Sequence, residues 1–175
     1  ENQRNVHGAQ FINCFHDYHS ALSPPEYLWS AEKFQYYGPE TLYEDLFVNG
    51  YDDMAVCQPT YLKDFYTNGF NTTEQNAELL KSYADRIILN GAFDPRDGEA
   101  GLEALESLVE TYGIQGVKLY TAEWRGDSKG YKLSDAWAKR YLEKAQSLGI
   151  KNIHVHKGPT ILPLNRDAFD VADID

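Results

Sequence analysis

Basic residues are scarce in this chain of 175 residues: 16 Lys and Arg stand against 27 Asp and Glu, a formal net charge of -11. Such a surface repels a polyanion, so nucleic acid is not an expected partner. Long apolar runs are also missing. No stretch approaches the roughly 18 to 20 residues that a bilayer span needs, and the N-terminus lacks the basic-then-apolar pattern of an export signal. Neither membrane nor export is expected, which leaves a cytoplasmic protein as the default. Cysteine is almost absent. Cys14 and Cys57 lie far apart in apolar or aromatic surroundings, and without a second cysteine near either they read as free thiols. The chain opens on Glu1 rather than Met, which fits a processed protein or a portion of a longer one.

What is present is an apolar fraction of 42% and an aromatic fraction of 14%, enough for a packed core and contrary to extensive disorder. From residue 50 onward one pattern recurs: an amphipathic helix, a glycine stop, a short connection and a β-rich apolar run. Strands are predicted over 54–58, 87–92, 116–121 and 152–157, with starts roughly thirty residues apart, room for one crossover helix each time. The helix over 98–112 places Leu102, Leu105, Leu108, Val109 and Tyr112 on one stripe, with Gly113 as its left-handed stop. A second over 135–148 carries Trp137, Tyr141, Leu142, Ala145 and Leu148, with Ser134 as N-cap and Gly149 as stop. Pro39 and Glu40 open a helix that ends at Gly50. Asn71, Thr72 and Thr73 precede another, whose buried side includes Ala77, Leu80 and Tyr83 or Ala84.

Residues 1–38 show no sustained period and read as an irregular lead-in, with one short helix near 25–29. Residues 39–175 then form the folded domain. The fold class is α/β, a TIM-type (β/α)8 barrel of which this chain holds about four βα units. Half a barrel leaves apolar strand faces and edges open. The chain is therefore expected to be a segment, or to assemble as a homo-oligomer or with the rest of the barrel.

Chemistry in parallel α/β folds gathers at the carboxyl ends of the strands, where the long loops of this sequence also fall. In the run Asn152-Ile153-His154-Val155-His156-Lys157, alternation sends His154 and His156 to one face and Ile153 and Val155 to the other. Two inward imidazoles at this spacing are candidate metal ligands, His156 nearer the carboxyl end. Hydrogen-bonded core histidines are the plainer alternative. The run Gly116-Val117-Lys118-Leu119-Tyr120-Thr121 sends Lys118 and Tyr120 inward by the same logic. An interior lysine is costly unless paired or working, so Lys118 is a candidate catalytic residue: a Schiff-base amine, a carboxylate binder or a carbamylated ligand. A structural ion pair is its alternative. Tyr120 and the loop residues Glu123, Trp124 and Arg125 are candidate substrate contacts. Asp94 reads better as a turn residue and N-cap than as a base. His16 and His19, three apart, suit a helix face. No phosphate-binding glycine loop or nucleophile elbow occurs.

Taken together, Tyr43-Glu44-Asp45-Leu46-Phe47, Gln58-Pro59-Thr60-Tyr61-Leu62, Gly69-Phe70-Asn71-Thr72-Thr73, Gly116-Val117-Lys118-Leu119-Tyr120 and Asn152-Ile153-His154-Val155-His156-Lys157-Gly158-Pro159 resemble the amidohydrolase-related family. The similar branch contains aminocarboxymuconate semialdehyde decarboxylase, and the resemblance spans about residues 38–175. It implies a (β/α)8 barrel with one divalent metal ion, usually zinc and sometimes manganese. It also implies non-oxidative decarboxylation of an unsaturated or aromatic carboxylic acid, or hydrolysis by a metal-activated water. The substrate would be a small-molecule carboxylate or amide. In that family a histidine closing the fifth strand binds the metal, and His156 matches it. His154 lies one layer deeper and is not a usual ligand. The family's other ligands, a His-x-His pair on strand one, a histidine on strand six and an aspartate on strand eight, have no visible counterpart. Two-metal branches carry a carbamylated lysine on strand four, the position of Lys118. Two other readings compete: a Schiff-base lyase using Lys118, and a non-catalytic half-barrel subunit.

Overall fold

The computed structural model describes residues 3–159 and 163–174. Its centre is a four-stranded parallel sheet in the order β1-β2-β3-β4, formed by Ala55–Cys57, Ile87–Gly91, Gly116–Leu119 and Asn152–Val155. Each strand lies beside its predecessor in sequence, and one helix crosses between each pair: α4 (Thr73–Tyr83), α5 (Gly98–Tyr112) and α6 (Ala136–Ser147). That repeat is half of a (β/α)8 barrel, as the sequence predicts.

The helices pack on the outer face of the sheet. Leu89, Val117 and Leu119 point outward into a buried cluster with Leu105 of α5, Tyr141 and Ala145 of α6, and Ile114 and Ile150 of the short connections. The leucine stripe of α5 supplies its side of this contact, and Gly113 ends the helix at φ 62 and ψ 37, a conformation that costs glycine little. Close helix packing depends on Gly101, where an added Cβ would overlap the Tyr141 hydroxyl. That hydroxyl donates to the Gly98 carbonyl at 2.8 Å.

The edge strands are less covered than the central pair. Val56 on β1 is 45% exposed and Ile153 on β4 37%, whereas Val117 and Leu119 are inaccessible. This is the expected signature of an open half barrel.

The lead-in is not irregular. Residues Val6–Leu22 form α1, begun by Asn5, whose side-chain oxygen accepts from the His7 and Gly8 N–H groups. Phe11 of this helix is buried with Leu62, Phe65, Tyr66, Tyr120 and Phe169, which joins α1 to the loops after β1, β3 and β4. The short helical turn is present at Pro25–Tyr27, followed by α2 (Ala31–Gln35). The helix from Pro39 is α-helical only to Tyr43 (α3); Glu44–Asn49 then forms a π-helical turn before Gly50. Thr72 caps α4 reciprocally with Gln75, and Leu79 joins its buried side. Asp135, not Ser134, precedes α6, and its carboxylate accepts from the Lys132 N–H at 2.9 Å instead of capping the helix. Cys14 and Cys57 are free thiols. Among the described residues, no helix is long and apolar enough to cross a membrane.

Candidate functional site

His156 follows β4 directly, and its backbone N–H extends the ladder by donating to Leu119 O at 3.0 Å. Its ring lies 4.8 Å from that of Tyr120 and 4.9 Å from that of Phe169, centroid to centroid. Among the described residues no side-chain hydrogen bond engages the imidazole. Burial lowers its pKa from 6.5, and the nearby Lys118 cation adds to the effect. The ring is therefore neutral at pH 7 with a lone pair free, the form in which imidazole binds metals.

His154 is exposed on β4 and stands opposite Lys118 in the parallel register. Lys118 is partly buried, and burial lowers its pKa from 10.5. No carboxylate pairs with it among the described residues, so the structural ion pair weighed for this lysine is not formed there.

Beside Lys118 and Tyr120 opens a cleft of about 450 Å³, whose wall includes Asp94, Glu123, Arg125 and Tyr131. Asp94 is the residue of the predicted turn. It accepts from the Arg96 N–H at 2.9 Å and receives the Arg96 guanidinium as a fork, at 2.8 and 2.6 Å. Arg96 also donates to Glu123 O at 2.8 Å and Ser128 Oγ at 2.9 Å. Arg125 pairs with Asp97 and, at 3.7 Å, with Asp94. The two arginines thus fasten the loop after β3 to the turn after β2.

Glu123 accepts from the Lys63 backbone N–H at 3.1 Å. Burial pushes its carboxyl up to about 7; the Lys63 N–H opposes this, Asp94 adds to it, and the Arg96 and Lys63 cations oppose it. Tyr131 is buried at 6% exposure and its hydroxyl has no hydrogen bond among the described residues. Burial, with Asp94 and Glu123 adding and Arg96 opposing, holds that phenol well above its usual 10.0.

The sequence-predicted residues therefore separate. Lys118, Tyr120, Glu123 and Arg125 line one cleft, and His156 lies behind Tyr120. Trp124 turns the other way, its ring 5.1 Å from Phe65 and 4.8 Å from His7, with the Lys129 ammonium 3.5 Å above it. His16 and His19 have structural partners. The His19 ring bonds Ser23 Oγ at 3.0 Å and accepts from the Trp29 N–H at 2.8 Å, and His16 Nε2 meets Trp29 O at 3.1 Å. Tyr131 and Arg96 were not singled out from sequence. Their signal was an aromatic inside a long strand-to-helix loop and a cation beside a turn aspartate.

A divalent ion finds one suitable donor in the unengaged, neutral His156. Among the described residues no three His, Cys, Asp or Glu side chains converge as a metal site. His156 thus fits the role of one ligand, and these residues alone do not complete a set.

The amidohydrolase family profile matches residues 15–175. Among solved structures, an uncharacterised TIM-barrel protein from Bordetella bronchiseptica is similar at a TM-score of 0.64 and 17% identity, over 95% of this chain and 53% of that one. This chain thus spans about half the length of that structure, and the likeness is one of fold. Weaker likenesses are to 2,6-dihydroxybenzoate decarboxylase from Rhizobium (TM-score 0.44, 18% identity, 51% of this chain and 28% of that one) and to 4-oxalomesaconate hydratase from Rhodopseudomonas palustris (0.46, 19%, 84% and 46%). No curated protein matches the chain. A family match over nearly its whole length, on a sheet that builds half of a TIM barrel, makes this chain a member of the amidohydrolase family.

Proposed function

We propose that this protein is a metal-dependent enzyme that decarboxylates an unsaturated or aromatic carboxylic acid without an oxidant. The observation that carries this reading is His156, an imidazole at the carboxyl end of a parallel sheet, its pKa lowered by burial and by the nearby Lys118, both side chains being without a hydrogen-bond or ion-pair partner among the described residues. Members of this family generally use a divalent metal ion, and such an ion, zinc first and manganese second, polarises a carboxylate or a water molecule. Residues 39–175 supply the barrel half and His156 a ligand, while His154, exposed on β4, stays outside the set.

The chain's other groups bind and orient. Lys118, with no carboxylate partner among the described residues, holds the substrate carboxylate, and Tyr120 offers an aromatic wall beside it. Arg125 positions the loop through Asp97 and Asp94. The rings of Tyr120 and Phe169 pack on that of His156 and partly cover it. Hydrolysis of a carboxylate-bearing amide is the second reading, favoured by the same ligand. The open edges of β1 and β4 are where the rest of the barrel or a second copy would join the sheet.

The test follows carbon dioxide release from 2,6-dihydroxybenzoate and 4-hydroxybenzoate. Release should stop on chelation and return with added zinc or manganese. Turnover that survives exhaustive chelation contradicts the proposal.

A further inference from the structure

The cleft contains a carboxyl group for which the binding roles above have no use. Glu123 sits just past the end of β3, where its own N–H donates to Tyr120 O at 3.0 Å and closes a tight turn. One carboxyl oxygen is fixed by the Lys63 N–H, and the backbone carbonyl is fixed by Arg96. The residue is therefore held from two loops, its side chain by the Lys63 N–H and its backbone by Arg96, without an ion pair of its own among the described residues. Its carboxyl shares the cleft wall with Lys118 and Tyr120 and with the buried Tyr131 hydroxyl, which is unpartnered among the described residues. A buried hydroxyl left without a partner is expensive, and Tyr131 belongs to the wall of the space a substrate would fill.

We propose that Glu123 is the proton donor of this site, delivering its carboxyl proton to the substrate carbon that loses carbon dioxide. This rests on the decarboxylase reading above. The bond between the substrate carbon and its carboxylate breaks and leaves its electron pair on that carbon. The Glu123 O–H bond breaks and a C–H bond forms, carbon dioxide departs, and the Glu123 carboxylate recovers a proton from water. Substrate anion plus one proton thus gives product plus carbon dioxide. The Tyr131 hydroxyl is the donor that binds the substrate alongside.

Every loop packed on Glu123 contributes charge or a titratable group. Lys63 comes from the loop after β1, Asp94 and Arg96 from the turn after β2, and Tyr120, Arg125 and Tyr131 from the strand end and loop of Glu123 itself. Burial outweighs the favourable contacts, and the carboxyl stays protonated up to about 7. A donor so poised transfers its proton efficiently near neutrality.

The experiment compares the metal-loaded wild-type protein with E123Q, which keeps an oxygen for the Lys63 N–H. With side-chain-labelled glutamate, the wild type should show one carboxyl resonance titrating near 7 that E123Q lacks. In release of carbon dioxide from 2,6-dihydroxybenzoate, E123Q should lower kcat about 10²-fold with KM and metal content near wild type. It should also lose the wild-type fall in rate as the pH rises through about 7. A carboxyl that titrates near 4.5, or an E123Q enzyme with wild-type kcat and pH profile, overturns this step alone. A wild-type protein that releases no carbon dioxide overturns the decarboxylase reading and this step with it.

Discussion

Replacing His156 with alanine is expected to reduce turnover by at least about 10³-fold, because a bound cation supplies several kcal/mol of transition-state stabilisation and each 1.4 kcal/mol is tenfold. The imidazole is suited to that role by what surrounds it. Its position is fixed by the backbone bond to Leu119 and by the rings of Tyr120 and Phe169 on either side. Those contacts leave both ring nitrogens without a partner among the described residues, so the loss on substitution falls on the ligand and not on a hydrogen-bonded core. Folding should accordingly survive the change, with the far-ultraviolet dichroism of the wild type retained. Steady-state kinetics over a range of added zinc reads the effect. A variant with undiminished kcat at every metal concentration removes His156 from the site.

Lys157→Met is expected to destabilise the fold by about 3 to 5 kcal/mol and lower Tm by on the order of 10 °C. The side chains of Lys157 and Asp173 are only 6% and 10% exposed, with Nζ and Oδ1 2.6 Å apart. Lys157 also donates to Ala168 O at 3.3 Å, and Asp173 accepts from the Leu133 N–H at 2.7 Å. The pair therefore joins three segments: the end of β4, the loop before α6, and the final turns. Burial raises the Asp173 pKa, but the Lys157 ammonium and the Leu133 N–H outweigh it and hold the carboxyl below its ordinary 3.8. Removing the cation strands a buried carboxylate. The folded-state pKa is depressed, so the pair's contribution is present above 3.8 and fades as the pH falls through the lower folded-state value. Thermal unfolding at pH 7 should show the full deficit of the variant, and unfolding at a pH below the folded-state value a much smaller one. The double change Lys157→Met with Asp173→Leu should recover part of the loss at neutral pH, since two apolar side chains leave no buried charge. Equal Tm values for wild type and Lys157→Met at pH 7 contradict this account.

Much of the fold is legible because the sequence repeats one physical design. The stripe of Leu102, Leu105, Leu108 and Val109 and the stop at Gly113 define α5 end to end, Gly98–Tyr112. The four apolar runs mark the strands, three of which start where their runs do, and all of which end one or two residues early as the ladder gives way to loop. Helix α1 was hidden by composition. Phe11, Ile12 and Phe15 recur at helical spacing behind the cap Asn5, but His7, His16 and His19 and several polar residues dilute the stripe. Tertiary contact with Phe65, supplied from more than fifty positions away, rewards the helix, and no local pattern reports it.

The site divides in the same way. Strand alternation alone places Lys118 and Tyr120 opposite Val117 and Leu119, whereas the register of His154 with Lys118 is set by the pairing of β3 and β4. The network of Asp94, Arg96, Glu123 and Tyr131 could not be read ahead. Its members come from two loops that meet only when β2 and β3 pair. Trp124 shows the converse: an aromatic in a strand-end loop reads as a substrate contact, yet the apolar surface of Phe65 and the ring of His7 compete for it and win.

The central claim is that His156 is one ligand of a resident divalent ion, and elemental analysis of the purified protein tests it most directly. The account predicts about one equivalent of zinc or manganese per polypeptide in the wild type, and a loss of most of it in His156→Ala. A wild-type protein without stoichiometric metal, after purification free of chelators, contradicts it and favours a non-catalytic half-barrel subunit.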